Sequence, residues 1–159
     1  MAEKAGWSFI ETEKPSFDLA VINPPYIFGE IIHECHSAKS LNTSVAGWYA
    51  YLNGDKSDED APKPAGQFAD VEDVASLHVE ALLTPEASNK RFLVANSTFT
   101  YQQFLDTLRS SAEGKELLKA FPKAVKGVPN AEEPKQNTID TTRAQKTFNW
   151  KPIPLEKTV

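Results

Sequence analysis

The sequence predicts an α/β fold, and three observations carry that expectation. Phe17 to Ile22 is a short β-rich run with little polar alternation, the mark of a strand buried on both faces of a parallel sheet. Two marked helix starts lie further along, at Asp70 and Thr100, each leading into apolar residues at helical spacing. Between them Arg91-Phe92-Leu93-Val94-Ala95 reads as a second strand, so helices and strands alternate.

In chain order, residues 2–13 fit a helix with Ala2, Ala5, Phe9 and Ile10 on one side. Lys14-Pro15 ends it, because proline has no N–H to continue the ladder. The strand from Phe17 to Ile22 follows and needs neighbours, while the residues before it offer one helix and no strand. Residues 30–52 favour helix, with a break expected from Asn42 to Gly47. Residues 53–66, NGDKSDEDAPKPAG, form a polar loop whose acidic run reads as solvated surface. Asp70 is placed to cap a helix, with Asp73 three residues on and Val74, Leu77, His78, Ala81 and Leu82 forming its stripe. Thr100-Tyr101-Gln102-Gln103 is a capping box leading to Phe104, Leu105 and Leu108. A connection rich in Pro and Lys spans 122–137, and a short helix is expected near 141–148. No internal repeat or low-complexity tract is present.

Composition bounds the function. At 159 residues, 40% hydrophobic and 10% aromatic, the chain is large enough to bury a core as one domain. Its net charge of −5 argues against nucleic acid or an anionic membrane as the main partner. Cys35 is the only cysteine, which rules out an intrachain disulfide and a Cys-based zinc site and makes a reducing, cytoplasmic location the expectation. No apolar run approaches the length of a transmembrane helix, and residues 1–16 lack a signal peptide's apolar centre.

Five segments, in order, carry a resemblance. They are Ala2-Glu3-Lys4-Ala5-Gly6-Trp7 with the strand ending in Asn23-Pro24-Pro25-Tyr26-Ile27-Phe28-Gly29; Leu41-Asn42-Thr43-Ser44; Phe68-Ala69-Asp70-Val71-Glu72-Asp73-Val74-Ala75 with His78; Arg91-Phe92-Leu93-Val94; and Asp140-Thr141-Thr142-Arg143-Ala144 running to Phe148. Together they resemble the extended short-chain dehydrogenase/reductase family, in its dihydroflavonol-reductase-like branch of aldehyde and ketone reductases within the NAD-dependent epimerase/dehydratase superfamily. The resemblance implies an incomplete Rossmann-like α/β fold, a single truncated unit over 1–159. Residues 1–29 would be a remnant of the nucleotide-binding domain, one helix and one strand, and 30–159 mainly the smaller α+β substrate-binding domain. It further implies NADPH as cofactor and a small-molecule carbonyl compound as substrate, with Met1 falling just after the family's catalytic Tyr-x-x-x-Lys.

The parts such chemistry requires can be sought directly. A pyrophosphate needs a glycine-rich strand-to-helix turn, because only side-chain-free backbone approaches the phosphates closely. The 7 glycines, at positions 6, 29, 47, 54, 66, 114 and 127, nowhere form that cradle. A Tyr proton donor needs a Lys one helical turn later. Four residues after Tyr26, Tyr49, Tyr51 and Tyr101 stand Glu30, Asn53, Asp55 and Leu105, so no catalytic residue is assigned. The resemblance leaves only the nicotinamide end of the cofactor site, at Pro24 and Ile27 with Asn42 or Ser44, and a stiff structural turn explains Pro24-Pro25 equally well. Tyr26 and Phe28 are candidates to line a substrate pocket, although aromatic residues at such positions are more often core.

No metal site is assigned, because His33 and His36 in His33-Glu34-Cys35-His36 supply too few ligands and His78 falls in a packing stripe. Three functional readings follow. The favoured one is a carbonyl-reductase-like chain that is inactive alone, binds NADPH poorly, and depends on an N-terminal half or self-associates. The others are a cofactor-free binding or interaction protein and a repurposed cyclase, isomerase or dehydratase of small-molecule metabolism.

Overall fold

The structure, a computed structural model, describes residues 1–159. Helix α1 (Ala2–Glu13) stops where Lys14 turns left-handed, at φ 44°, and donates its N–H to the Ile10 carbonyl. Its expected apolar side finds little to cover it. No α1 residue is buried, and Phe9 stays 49% exposed while stacking on Phe17, itself 62% exposed. Strand β1 (Ala20–Asn23) therefore starts later than expected and runs on to Asn23.

Pro24-Pro25 separates β1 from β2 (Tyr26–Phe28). Residues 30–37 form no helix, contrary to expectation, and Ala38–Ser40 make only a short 3-10 turn. Helix α2 (Thr43–Leu52) begins after Asn42 and runs unbroken through Gly47, so the expected break lies ahead of the helix and does not reach Gly47. A Cβ at Gly47 would lie 2.8 Å from the Tyr101 hydroxyl, so Gly47 lets that ring pack close to the helix rather than interrupting it. Strand β3 (Gly66–Asp70) leads directly into α3 (Val71–Leu83). Strands β4 (Lys90–Leu93) and β5 (Ser97–Phe99) follow, then helices α4 (Tyr101–Ser110), α5 (Ala112–Lys119), α6 (Thr142–Phe148) and α7 (Leu155–Thr158).

Both expected caps form. The Asp70 carboxylate accepts from Glu72 N–H at 2.8 Å, and Thr100 and Gln103 make the reciprocal capping box. The α3 stripe is narrower than expected. Val74 and Leu77 are buried and Ala81 packs beside them, but His78 faces out and Leu82 is 86% exposed.

The strands form two sheets. In one, β1 pairs in parallel with β4, so the neighbour β1 needs comes from later in the chain. In the other, β3 lies between β2, parallel to it, and β5, antiparallel. Side chains alternate across a strand, so register sorts the second sheet into two faces. Phe28, Phe68 and Phe99 meet Phe104 on one face, with Phe28 and Phe104 ring centroids 4.9 Å apart. Ile27 and Ala69 on the opposite face join the cluster of Val74, Leu77, Phe92 and Val94. Ala20 and Ile22 of β1 reach that same cluster, which α6 closes through Ala144. A third cluster, of Tyr51, Ala61, Leu105 and Val125, ties the loop after α2 to α4.

The beginning of α3 also anchors the C-terminal segment. The buried Asp73 carboxylate accepts from Trp150 Nε1 at 2.7 Å, Ile153 N–H at 2.8 Å and Asn96 Nδ2 at 2.6 Å. The Thr158 hydroxyl donates to Asp70 at 2.7 Å. Buried carboxylates with several donors are stable in place only while those donors stay paired. No helix is long and apolar enough to cross a membrane.

Candidate functional site

The end of β1 positions most of the candidate residues. Pro24 and Pro25 cannot donate to a ladder, so the strand stops and the chain bends into β2. Pro24, Pro25 and Tyr26 line a cleft of about 330 Å³ with Gly66 and Gln67. Tyr26 forms its exposed rim, at 45% exposure, with its ring edge-on to Phe99 at 6.1 Å. Ile27 points to the opposite face and packs against the central apolar cluster.

Phe28, the other candidate for substrate contact, is only 4% exposed and its ring meets Phe99 at 5.3 Å. It also walls a separate cavity of about 300 Å³ with Val45, Trp48, Phe104 and Val159. Tyr26 and Phe28 thus share a sheet face but line different hollows. Asn42 sits at the start of α2 without a side-chain cap bond, donating instead to the buried Ser44 hydroxyl at 3.3 Å. Neither lines the Pro24–Tyr26 cleft.

The end of β1 also holds an unpaired polar group. The Asn23 side-chain Nδ2 is buried and has no hydrogen-bond partner, at the last residue of β1. Natural interiors rarely leave such a donor unmade, because the desolvation cost of about 1–3 kcal/mol is uncompensated.

A cofactor phosphate would be held at a strand-to-helix turn. A cleft of about 420 Å³ opens beside the β3–α3 turn, lined by Gly29, Glu30, Asp70, Glu72, Lys157 and Thr158 among others. Its carboxylates oppose an anion, and Asp70 already takes one of the helix's N-terminal donors, the Glu72 N–H. Gly29, at φ 131°, is required because a Cβ there would lie 2.6 Å from Val71 Cγ1. This turn therefore offers no cradle for a pyrophosphate.

Tyr51 and Tyr101 fare no better as acids. Burial pushes the Tyr101 phenol up to about 12, and burial likewise raises Tyr51, whose ring stacks on Tyr101 at 4.3 Å. Both hold their protons tightly, the reverse of what a proton donor near neutrality needs. His33, Glu34, Cys35 and His36 all lie exposed, with His36 Nε2 3.3 Å from Glu34.

No protein-family model matches the chain. Among curated proteins, a relative from Candida albicans is 34% identical over 158 residues, 99% of this chain and 46% of its own length. The NADPH-dependent methylglyoxal reductase Gre2 of Saccharomyces cerevisiae is 31% identical over 161 residues, with the same 99% and 46% coverage. Among solved structures, Gre2 from Candida albicans in complex with NADPH superposes with a TM-score of 0.78 at 29% identity, again over 99% of this chain and 46% of that one. The chain thus spans about half the length of the curated relatives it matches.

Proposed function

We propose, for a chain whose homologues are Gre2-like NADPH-dependent reductases of the extended short-chain dehydrogenase/reductase superfamily, that it forms the substrate-side part of a carbonyl reductase acting on small aldehydes or ketones. One observation carries this reading: 99% of the chain matches just 46% of each relative, so the likeness is to a portion of the enzyme. Residues 1–29 with strand β4 belong to the nucleotide-binding sheet, and most of 30–159 forms the substrate-binding part. Pro24, Ile27, Asn42 and Ser44 are the residues nearest the nicotinamide, and Tyr26 contributes to the substrate pocket with Phe28 behind it. The protein acts in the cytoplasm.

On its own the chain is inactive, because it carries neither a glycine-rich phosphate cradle nor a Tyr-x-x-x-Lys pair. Titration calorimetry of the purified chain is expected to find NADPH and NADH binding weaker than micromolar. NADPH oxidation is then followed with a panel of aldehydes and ketones, for the chain alone and for a version extended at its N-terminus by the corresponding part of Candida albicans Gre2. Turnover only in the extended protein supports the reading. No turnover in either, with the extended protein folded and binding NADPH, overturns it.

A further inference from the structure

We propose that a second site, a cleft between the loop after α2 and the segment after α5, binds the diphosphate group of a small ligand. The cleft measures about 400 Å³, and Gly54, Lys56, Ser57, Asp58, Lys123 and Lys126 are among the residues that line it. Pro24, Ile27, Asn42 and Ser44 are not, so the proposal stands apart from the reductase reading.

Its first support is an imbalance of charge. Lys56, Lys123 and Lys126 are exposed, and none of them enters an ion pair. The carboxylates of the neighbouring acidic run are engaged elsewhere. Asp58 accepts from the Lys126 N–H at 2.6 Å and the Gly127 N–H at 2.9 Å, Asp60 pairs with Lys63 at 2.6 Å, and Asp55 accepts from Asn53 Nδ2 at 3.0 Å. Glu59 lies outside the cleft. Three ammonium groups therefore share one concavity with a single carboxylate, in a chain whose net charge is −5. Gathering like charges costs energy that a bound polyanion removes. A general attraction for anions is excluded by the chain's overall charge, so such binding has to be local to the cleft.

The second support is that the lysines stand on backbone held in place. The Val125 N–H donates to the Tyr51 carbonyl at 3.0 Å, and the Val128 N–H to Gln102 Oε1 at 2.7 Å. The Arg109 guanidinium donates to the Val125 and Lys126 carbonyls, both at 2.7 Å. The two walls touch, because a Cβ on Gly54 would lie 2.7 Å from the Lys123 carbonyl oxygen. Little ordering is left for a ligand to impose on this backbone. The N–H groups of Gly54, Lys56 and Lys123 have no backbone acceptor, which adds donors beside the charges. An ammonium is a compact charge with three donors, suited to phosphate oxygens. Three of them in a cleft this size suit two linked phosphates better than one carboxylate.

The test titrates the whole chain with inorganic pyrophosphate at low ionic strength, read by calorimetry and by amide NMR shifts. One-to-one binding is expected, weakening as salt rises, with shifts concentrated at residues 54–58 and 123–126. The triple variant Lys56→Gln, Lys123→Gln, Lys126→Gln should lose about tenfold or more in affinity while its thermal unfolding stays nearly unchanged. Lys4→Gln, Lys90→Gln, Lys146→Gln removes the same charge from exposed positions elsewhere and should keep the affinity within about twofold. A nucleoside diphosphate that binds tighter than pyrophosphate upholds the site and makes a nucleotide its ligand; one that binds equally upholds it with the phosphates alone recognised. Absence of saturable binding at millimolar pyrophosphate overturns the proposal. So does an equal loss in the two triple variants, and so do shifts that fall mainly outside the two segments.

Discussion

The mixed sheet β2-β3-β5 has packed side chains on both faces, whereas the parallel pair β1-β4 has them on one. Phe28, Phe68 and Phe99 close one side of the mixed sheet and Ile27 and Ala69 the other. In β1, Ala20 and Ile22 find the same central cluster, but the opposite face meets only α1, in which no residue is buried. The difference teaches which part of the chain is self-sufficient. The region around the mixed sheet folds against its own helices, and the region around β1 has only α1, with no fully buried residue, on one face.

The largest expected effect is in the closed region. Phe99 is fully buried and touches the rings of Phe28, Phe68, Tyr101 and Phe104. Phe99→Ala should cost about 3–5 kcal/mol in urea unfolding, from lost transfer energy and the cavity left behind. A loss below about 1 kcal/mol would show that the aromatic cluster is not the stabilising centre.

Asp73→Ala should cost about 2–4 kcal/mol, because Trp150 Nε1, Ile153 N–H and Asn96 Nδ2 lose their shared acceptor. It should also quench or shift Trp150 fluorescence as the C-terminal segment loosens. Asp73→Asn, which keeps an acceptor oxygen, should recover part of the loss. Equal destabilisation by both would mean that the charge, rather than the acceptor geometry, holds the segment.

Alkaline pH probes the same region more gently. The folded chain keeps the Tyr101 phenol protonated up to about 12, against 10.0 for a free tyrosine. The fold thus binds a proton that the unfolded chain releases, so this contribution is complete below pH 10 and is lost as pH rises toward 12. Thermal unfolding should fall across that window, and Tyr101→Phe should flatten the fall. An unchanged slope in Tyr101→Phe would place the phenol outside the packed cluster.

At the small end stands the open region. Phe17→Ser should change the lone chain's stability by no more than about 0.5 kcal/mol, as expected for a surface position. It should also raise solubility by removing an exposed ring. A cost comparable with Phe99→Ala would erase the contrast between the two regions.

Much of this contrast was legible in the sequence where local chemistry decides the outcome. The caps at Asp70 and Thr100 and the helix end at Lys14-Pro15 are set by backbone donors within a turn, and each formed as read. The strands β2, β3 and β5 were not foreseen. Gly66-Gln67-Phe68-Ala69-Asp70 has weak strand propensity and becomes β3 because it is paired on both sides, a tertiary effect that no short window reveals. Gly47 looked like a helix break and is instead a packing notch for Tyr101. Among the candidate site residues, alternation along β2 separates Ile27 from Tyr26 and Phe28, and that separation required the register. The unpaired amide of Asn23 had no sequence signal, because satisfaction of a donor depends on what lies opposite it.

Native-state hydrogen exchange on the isolated chain tests the division most directly, since it measures local opening free energies residue by residue. Amides of Phe68, Ala69, Phe104 and Leu105 should exchange only through global unfolding, while those of α1 and of Ala20 and Ile22, whose N–H groups face away from β4, should exchange through much cheaper local opening. Protection of Ala20, Ile22 and α1 equal to that of Phe68 and Phe104 would contradict the account, by showing that the chain closes the β1 edge on its own.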